Sequence, residues 1–113
     1  MPRYVYVALS DPKPGEDEAF NSWYDGQHID DILDVPGFVS ARRFQAIDIG
    51  DGEPKRRRYL TIYEVEADDP AAVIADLRSR RGTDRLVPSD SLDLQSMFAQ
   101  MYVPLSEKQA KPR

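Results

Sequence analysis

The sequence predicts a single α+β domain in which two helices pack on one face of a four-stranded antiparallel sheet. Two observations support this fold class. Segments with strand-like and helix-like apolar periodicity follow one another in the order β-α-β-β-α-β. The second and third strands are separated by a turn rich in glycine and proline, which is typical of a hairpin. This order is that of the split-βαβ, or ferredoxin-like, arrangement.

The first strand and the first helix lie on either side of a loop that contains proline and glycine. Residues 4–9 are rich in β-branched and aromatic side chains and predict a buried strand. A helix is predicted over residues 16–33, because three acidic residues at its start suit the positive end of the helix dipole. Pro36 disfavours helical geometry at the preceding residue and Gly37 permits a change of direction, so the helix ends before them.

The remaining elements are strands over residues 38–48, 59–66 and 94–103 and a helix over residues 71–81. Asp69 and Pro70 supply the N-cap and the first position of this second helix. The polar loop over 83–93 is long enough to fold over a pocket. We assign residues 1–105 to a single domain and residues 106–113 to a flexible polar tail.

The composition argues against several classes of function. The formal net charge is −5, which argues against nucleic acid as a partner. The chain has no cysteine, so disulfides, thiolate nucleophiles and thiolate metal sites are all excluded. No apolar run approaches the ~20 residues that a membrane span needs, and the N-terminus does not resemble a leader segment. We therefore expect a cytoplasmic protein that does not associate with membranes.

Both faces of the predicted strands carry apolar residues, although the helices can cover only one face of the sheet. In the third strand, for example, Leu60 and Ile62 point to one face and Tyr63 points to the other. A second copy of the chain is the simplest cover for the exposed face. We therefore expect a homodimer, in which two sheets face each other and form an α/β barrel.

The first helix carries the candidate site. At ~100° per residue, an arc of roughly half the helix collects apolar and polar side chains together. The apolar members are Phe20, Trp23, Ile32 and Val35, and the others are Tyr24, Gln27, His28 and Asp31. A helix that needs only to bury its apolar side does not usually carry an amide, an imidazole and a carboxylate there. The arc therefore predicts a functional site around His28, the only histidine of the chain.

The spacing of the polar residues predicts how they act. Tyr24 precedes His28 by four positions and Asp31 follows it by three, so both can lie against the imidazole. We predict that His28 is a general acid/base, that Asp31 orients it and that Tyr24 assists as a phenol. Burial would lower the pKa of His28, whereas Asp31 would raise it. The alternative, a structural histidine bonded to Asp31 or to a backbone carbonyl, stays open at this point.

Substrate-binding roles are predicted for side chains of the same helix and of the sheet. Aromatic walls and an amide beside the histidine are supplied by Trp23, Tyr6, Tyr63 and Gln27. An arginine of the second strand can hold a carboxylate or enolate oxygen. Arg42 and Arg43 point to opposite faces, so strand parity alone does not decide which of them faces the pocket.

Metal and nucleotide cofactors are not expected. The chain has one histidine and no cysteine, and the carboxylates of the first helix point in different directions around it. No glycine-rich loop for binding phosphate is present. We therefore expect no cofactor, although haem stays open because a single histidine can serve as its axial ligand.

Three motifs are similar to those of a known family. They are the Trp23-x4-His28 helix, the Val35-Pro-Gly-Phe38-x4-Arg43-Phe44 segment and the Tyr59-Leu-x-Ile-Tyr-Glu64 strand. Together they resemble the EthD-like branch of the dimeric α/β-barrel superfamily over roughly residues 4 to 103. The resemblance implies a pocket between sheet and helices with His28 pointing into it. It favours Arg43 over Arg42, because the family pattern places an arginine directly before the phenylalanine.

The resemblance also implies a range of activities. The superfamily includes cofactor-independent cyclases, isomerases, small monooxygenases and haem-handling proteins. Our leading expectation is a cofactor-independent lyase, isomerase or cyclase for a small aromatic, lactone or polyketide-like substrate of a catabolic or secondary pathway. The alternative is a non-catalytic stress-response barrel that holds a hydrophobic ligand or haem.

Overall fold

The computed structural model describes all 113 residues and has the predicted order of elements. The strands are β1 (Arg3–Pro12), β2 (Phe38–Gln45), β3 (Tyr59–Glu66) and β4 (Leu92–Tyr102). The helical segments are α1 (Asp17–Trp23), a π turn (Tyr24–His28), α2 (Ile29–Leu33) and α3 (Pro70–Ser79), of which the first three form one continuous helix. The prediction of an α+β, ferredoxin-like fold is therefore confirmed.

The four strands form one antiparallel sheet in the order β2-β3-β1-β4. β1 and β3 are the inner strands, and Tyr6 of β1 lies opposite Tyr63 of β3 and opposite Met101 of β4. The pairing of β1 with β4 shifts in register between Leu9 and Asp11, as at a β-bulge. Because β1 is an inner strand, the side chain of Tyr6 lies near the middle of the sheet. It packs against the core on the face that the helices cover.

β2 is shorter than its periodicity predicts. The predicted strand extends to residue 48, but the observed strand ends at Gln45. Ala46 still donates a backbone hydrogen bond to the carbonyl of Arg58 at 2.7 Å, and the chain then leaves the sheet. Ile47, which lies beyond the end of the strand, is 72% exposed. Continued pairing would therefore bury no apolar side chain there.

The hydrophobic core lies between the helices and one face of the sheet. Its main cluster consists of Ile32, Val35, Phe38, Tyr63, Val65, Ala67, Val73 and Leu77. A smaller aromatic cluster, formed by Phe20, Tyr24 and Tyr59, joins the start of the long helix to β3. Of the apolar members of the predicted helix arc, Phe20, Ile32 and Val35 are thus core, whereas Trp23 and the polar members have other surroundings.

The end of the long helix and the start of α3 follow the predicted signals. Gly37 has a φ of +106°, and a Cβ at this position would lie 2.7 Å from a methyl group of Val73. Only glycine therefore allows the turn into β2 and the close approach of α3. At the start of α3, the Asp69 side chain accepts a hydrogen bond from the Ala72 backbone N–H, and Pro70 is the first helical residue.

The middle of the long helix differs from the regular α-helix that its periodicity predicts. Residues Tyr24–His28 form a π turn, in which the backbone N–H of Ile29 bonds to the carbonyl of Tyr24. Such wide turns shift the following residues around the helix axis and occur frequently at functional sites. Asp31 and Ile32 nevertheless stay buried, whereas Asp30 is exposed.

The second face of the sheet is covered by no part of the chain. Its apolar side chains are partly exposed and include Val5, Val7, Leu60 and Ile62. The apolar side chains on this face agree with the sequence pattern, in which both faces of the strands carry apolar residues. Beyond β4, residues 103–113 form no helix or strand and are exposed. None of the helices has the length and apolar character that crossing a membrane requires.

Candidate active site

A cavity lies between the π turn, the sheet and the loop that precedes β4. We call it the inner cavity; it has a volume of about 100 Å³. Most of its lining is apolar or aromatic, and its wall includes Tyr6, Trp23, Tyr24, His28, Arg81, Leu86 and Met97. No acidic residue lines it. The pocket implied by the sequence therefore exists, and His28 is in its wall.

A second and more open space adjoins the first. This outer cavity has a volume of about 440 Å³ and shares Trp23, His28, Arg81, Leu86, Leu92 and Met97 with the inner cavity. Its remaining wall is formed mainly by the loop before β4, including Val87 and Asp90. His28 and Arg81 thus stand at the boundary between an enclosed apolar space and a rim that faces solvent.

The imidazole of His28 is held between aromatic rings. It stacks on Trp23 with the ring centroids 4.4 Å apart, and it meets Tyr24 edge to face at 4.8 Å. Its Nδ1 atom is buried and has no hydrogen-bond partner. Burial lowers the pKa of His28 to about 4; the charge of Asp31 opposes this shift and that of Arg43 adds to it. The imidazole is therefore neutral at neutral pH.

Asp31 does not bond to His28, although its spacing allows it. Its Oδ1 atom accepts a hydrogen bond from Gln27 Nε2 at 2.8 Å, and its Oδ2 atom accepts one from the backbone N–H of Val87 at 3.0 Å. The indole N–H of Trp23 donates to the carbonyl of the same Val87 at 2.9 Å. We call these two bonds the Val87 clasp. The clasp fastens the loop before β4 to the long helix, so Asp31 and Trp23 close the cavity.

The other predicted substrate-binding residues are divided between the cavity and its surroundings. Tyr6, Trp23 and Tyr24 line the inner cavity together with His28. Gln27 lies behind it, bonded to Asp31. Tyr63 is fully buried in the core and lines neither cavity, and burial raises the pKa of its phenol.

Arg43 faces the helices, as the family pattern suggested, but it does not line either cavity. Its guanidinium donates to Asp25 at 2.9 Å and to Asn21 at 2.8 Å, and it lies 4.3 Å from the ring centroid of Tyr24. Arg42, by contrast, is exposed beside Phe44. Arg43 therefore packs on the ring of Tyr24 outside the cavity, and its charge is paired with that of Asp25.

Sequence reasoning did not single out Arg81 or Val87. The arginines at the end of α3 have a sufficient explanation in the helix dipole, so their pattern carries no separate signal. The length of the loop before β4 was the signal for a cover over the pocket, but no local pattern marks Val87 as its attachment point. No group of three or more His, Cys, Asp or Glu side chains lies close enough together to hold a metal ion.

We predict that Asp31→Ala loosens the loop before β4. The substitution leaves the Val87 N–H without its acceptor, which costs about 1–3 kcal/mol of unfolding free energy when the donor is buried. Hydrogen exchange should become faster in the peptide that contains Val87, and urea unfolding should give the loss of stability. Asp30→Ala, at the exposed neighbouring position, is the control and should change neither. Equal exchange in the two variants would contradict the clasp.

We also predict that His28 makes stability depend on pH. Its pKa is about 4 in the folded chain and ~6.5 in the unfolded chain, so between these values the unfolded chain binds more protons. The free energy of unfolding should therefore fall as the pH is lowered through this window, by up to about 3 kcal/mol. Urea unfolding of His28→Gln should lack this part of the loss. The carboxylates titrate in both proteins, so parallel pH profiles would show that His28 is not buried as described.

Comparisons with known proteins identify the fold but no family. No protein-family model and no curated protein matches the chain. A candidate monooxygenase from Shewanella loihica PV-4 is 15% identical, with a TM-score of 0.62 over 94% of this chain and 97% of that one. The haem degrader MhuD from Mycobacterium tuberculosis, solved with two haems in its active site, is 12% identical, with a TM-score of 0.61 over 94% and 99%.

An EthD family protein from Bacillus halodurans C-125 is 14% identical to this chain. Its TM-score is 0.53 over 91% of this chain and 99% of that one. At identities this low, the likeness shows a common fold. It does not assign the activity of any of these proteins to this chain. The fold that the resemblance implied is therefore confirmed.

Proposed function

We propose that the chain is an enzyme that binds a small, flat, mainly apolar molecule in the inner cavity and moves a proton with His28. The reaction is a lyase, isomerase or cyclase step that needs no cofactor, on an aromatic, lactone or polyketide-like substrate. The observation that carries this proposal is a neutral imidazole, with an unpartnered Nδ1, in the wall of an apolar cavity. The cytoplasmic location, the kind of pathway and the domain limits stay predictions from the sequence.

The size of the inner cavity supports a ligand of about one ring. Its volume is about 100 Å³, smaller than the apolar cavity of about 150 Å³ that is known to hold benzene, so a ring would fill it and reach the adjoining outer cavity. Trp23, Tyr24 and Tyr6 present aromatic surfaces in its wall, where a flat ligand can stack. A larger substrate would extend into the outer cavity past the side chains that the two spaces share.

The state of His28 suits the acceptance of a proton from a carbon acid. Burial lowers its pKa to about 4, which makes the imidazole a weaker base than an ordinary histidine but keeps it in the unprotonated form that can accept a proton at neutral pH. When a substrate C–H beside a carbonyl group loses its proton, the resulting enolate lies next to the new imidazolium and stabilises it. The same proton can then return to a different carbon, or to a leaving oxygen. We expect Nε2 to be the reacting nitrogen, because Nδ1 is enclosed.

Haem binding is the second candidate, since a neutral imidazole is also the form that ligates iron. The residues fit this role less well. A porphyrin is several times larger than the inner cavity, whose volume is about 100 Å³, and the Nδ1 atom of His28 is buried. Binding of haem would therefore require the Val87 clasp to open. For this reason we favour the proton-transfer reaction over haem binding.

The test is exchange of substrate hydrogen in deuterated water. We expect the protein to catalyse exchange of an acidic C–H in at least one member of a panel of single-ring ketones, lactones and phenols. His28→Gln should lower this rate by ~10²–10⁴, the usual contribution of a general acid/base. Full activity of His28→Gln would refute the mechanism. A Soret band that forms on addition of haem and is lost in His28→Ala would favour the second candidate instead.

We also propose that two copies of the chain pair through the uncovered face of the sheet. Val7 and Ile62 lie opposite each other on the two inner strands, and both are apolar and only partly buried in the single chain. Burial of this face against a second copy would remove it from water without a new element of structure. The result is the dimeric α/β barrel that the sequence pattern predicts.

We predict a dimer by light scattering at micromolar concentration. Ile62→Lys should shift the protein to a monomer, because it places a charge at the centre of the proposed interface. Ile49→Lys is the matched control, since Ile49 lies in the loop between β2 and β3 and is 72% exposed. A wild-type monomer, or a dimer that survives Ile62→Lys, would contradict this arrangement.

A further inference from the structure

We infer that the ligand of the inner cavity is an organic anion, a single ring that carries a carboxylate, and that Arg81 binds this carboxylate. The inference rests on the ligand site of the proposed function and adds the charge of the ligand to it. It follows from three features of the structure: the charges around the cavity, the partners of the arginines, and the position of Tyr6.

The first feature is that Arg81 supplies the only formal charge in the inner cavity. No aspartate, glutamate or lysine lines this space, and the imidazole of His28 is neutral. In the outer cavity, which Arg81 also lines, Asp90 is the only acidic residue. The protein as a whole carries a net charge of −5, so this is a local positive site on an acidic molecule.

The second feature is that Arg81 has no carboxylate partner within 4 Å, whereas Arg43 and Arg80 each have one. Arg43 pairs with Asp25 at 2.9 Å. Arg80, next in the chain to Arg81, is buried and pairs with Asp76 at 3.1 Å. The guanidinium of Arg81 therefore keeps its donors for a ligand, and a planar carboxylate matches its paired N–H groups.

The third feature is the phenol of Tyr6, which lies near two cationic side chains. Burial raises the pKa of Tyr6, and the charges of Arg78 and Arg81 oppose this shift. Tyr6 lines the inner cavity with Arg81, and it also lines a groove between α3 and β4 with Arg78. The end of α3 thus directs positive potential toward a neutral hydroxyl donor, an environment that favours an anion over a neutral ligand.

The positions of the lining residues predict how the ligand is oriented in the two cavities. Arg81 and His28 both line the boundary between the two cavities, while the space between Tyr6, Trp23 and Tyr24 is apolar. A ring can therefore occupy the inner cavity with its carboxylate at the boundary beside Arg81. This orientation brings the ring atoms near the carboxylate toward the imidazole, where a proton can be transferred.

The experiment compares benzoate with benzamide, which has nearly the same shape and no charge. Trp23 is the only tryptophan and lies in the cavity wall, so its fluorescence reports binding. We expect benzoate to bind at least tenfold more tightly than benzamide at neutral pH, by an amount that decreases as salt is added. Arg81→Gln should abolish this preference. Arg85→Gln, at an exposed arginine that lines neither cavity, is the control and should keep it.

The outcomes separate this inference from the proposed function. Equal binding of benzoate and benzamide would overturn the inference of an anionic ligand and leave the ring-sized site intact. A preference for benzoate that persists in Arg81→Gln would overturn the role of Arg81. Binding of neither compound at millimolar concentration would overturn both the inference and the aromatic ligand site on which it rests.

Discussion

The attachment of the loop before β4 to the long helix is the interaction on which the candidate site depends. Asp31 accepts from the backbone N–H of Val87 and Trp23 donates to its carbonyl, so one residue of the loop is held on both sides. The closed loop supplies the wall that turns the surface between helix and sheet into a cavity. Enclosure removes water from His28, and the loss of water lowers its pKa.

This attachment also explains the polar residues in the apolar arc of the helix. Gln27 and Asp31 bond to each other, and Asp31 bonds to the loop, so their burial is compensated. His28 is different, because its Nδ1 atom is buried without a partner. An unsatisfied buried polar atom costs about 1–3 kcal/mol, and a chain that keeps such an atom beside a cavity suggests a functional reason for it.

The charges around the site are divided in a way that residue type alone does not reveal. Arg43 is close to Tyr24 but is bound by Asp25 and Asn21, so it stabilises the aromatic wall. Arg81 looks like an ordinary residue at the end of a helix, yet it is the unpartnered cation of the cavity. The functional difference between two arginines thus follows from the positions of their carboxylate neighbours.

The order of the elements, the end of the long helix at Pro36 and Gly37, and the helix face that carries the site all follow from the sequence, because periodicity and turn residues act locally. Only the tertiary structure determines which groups these polar side chains bond to. The acceptor role of Asp31 toward Val87 joins residues 56 positions apart, and it excludes the local bond to His28 that their spacing allows. The π turn and the neutral state of the imidazole likewise depend on packing and on the exclusion of water, which no local pattern records.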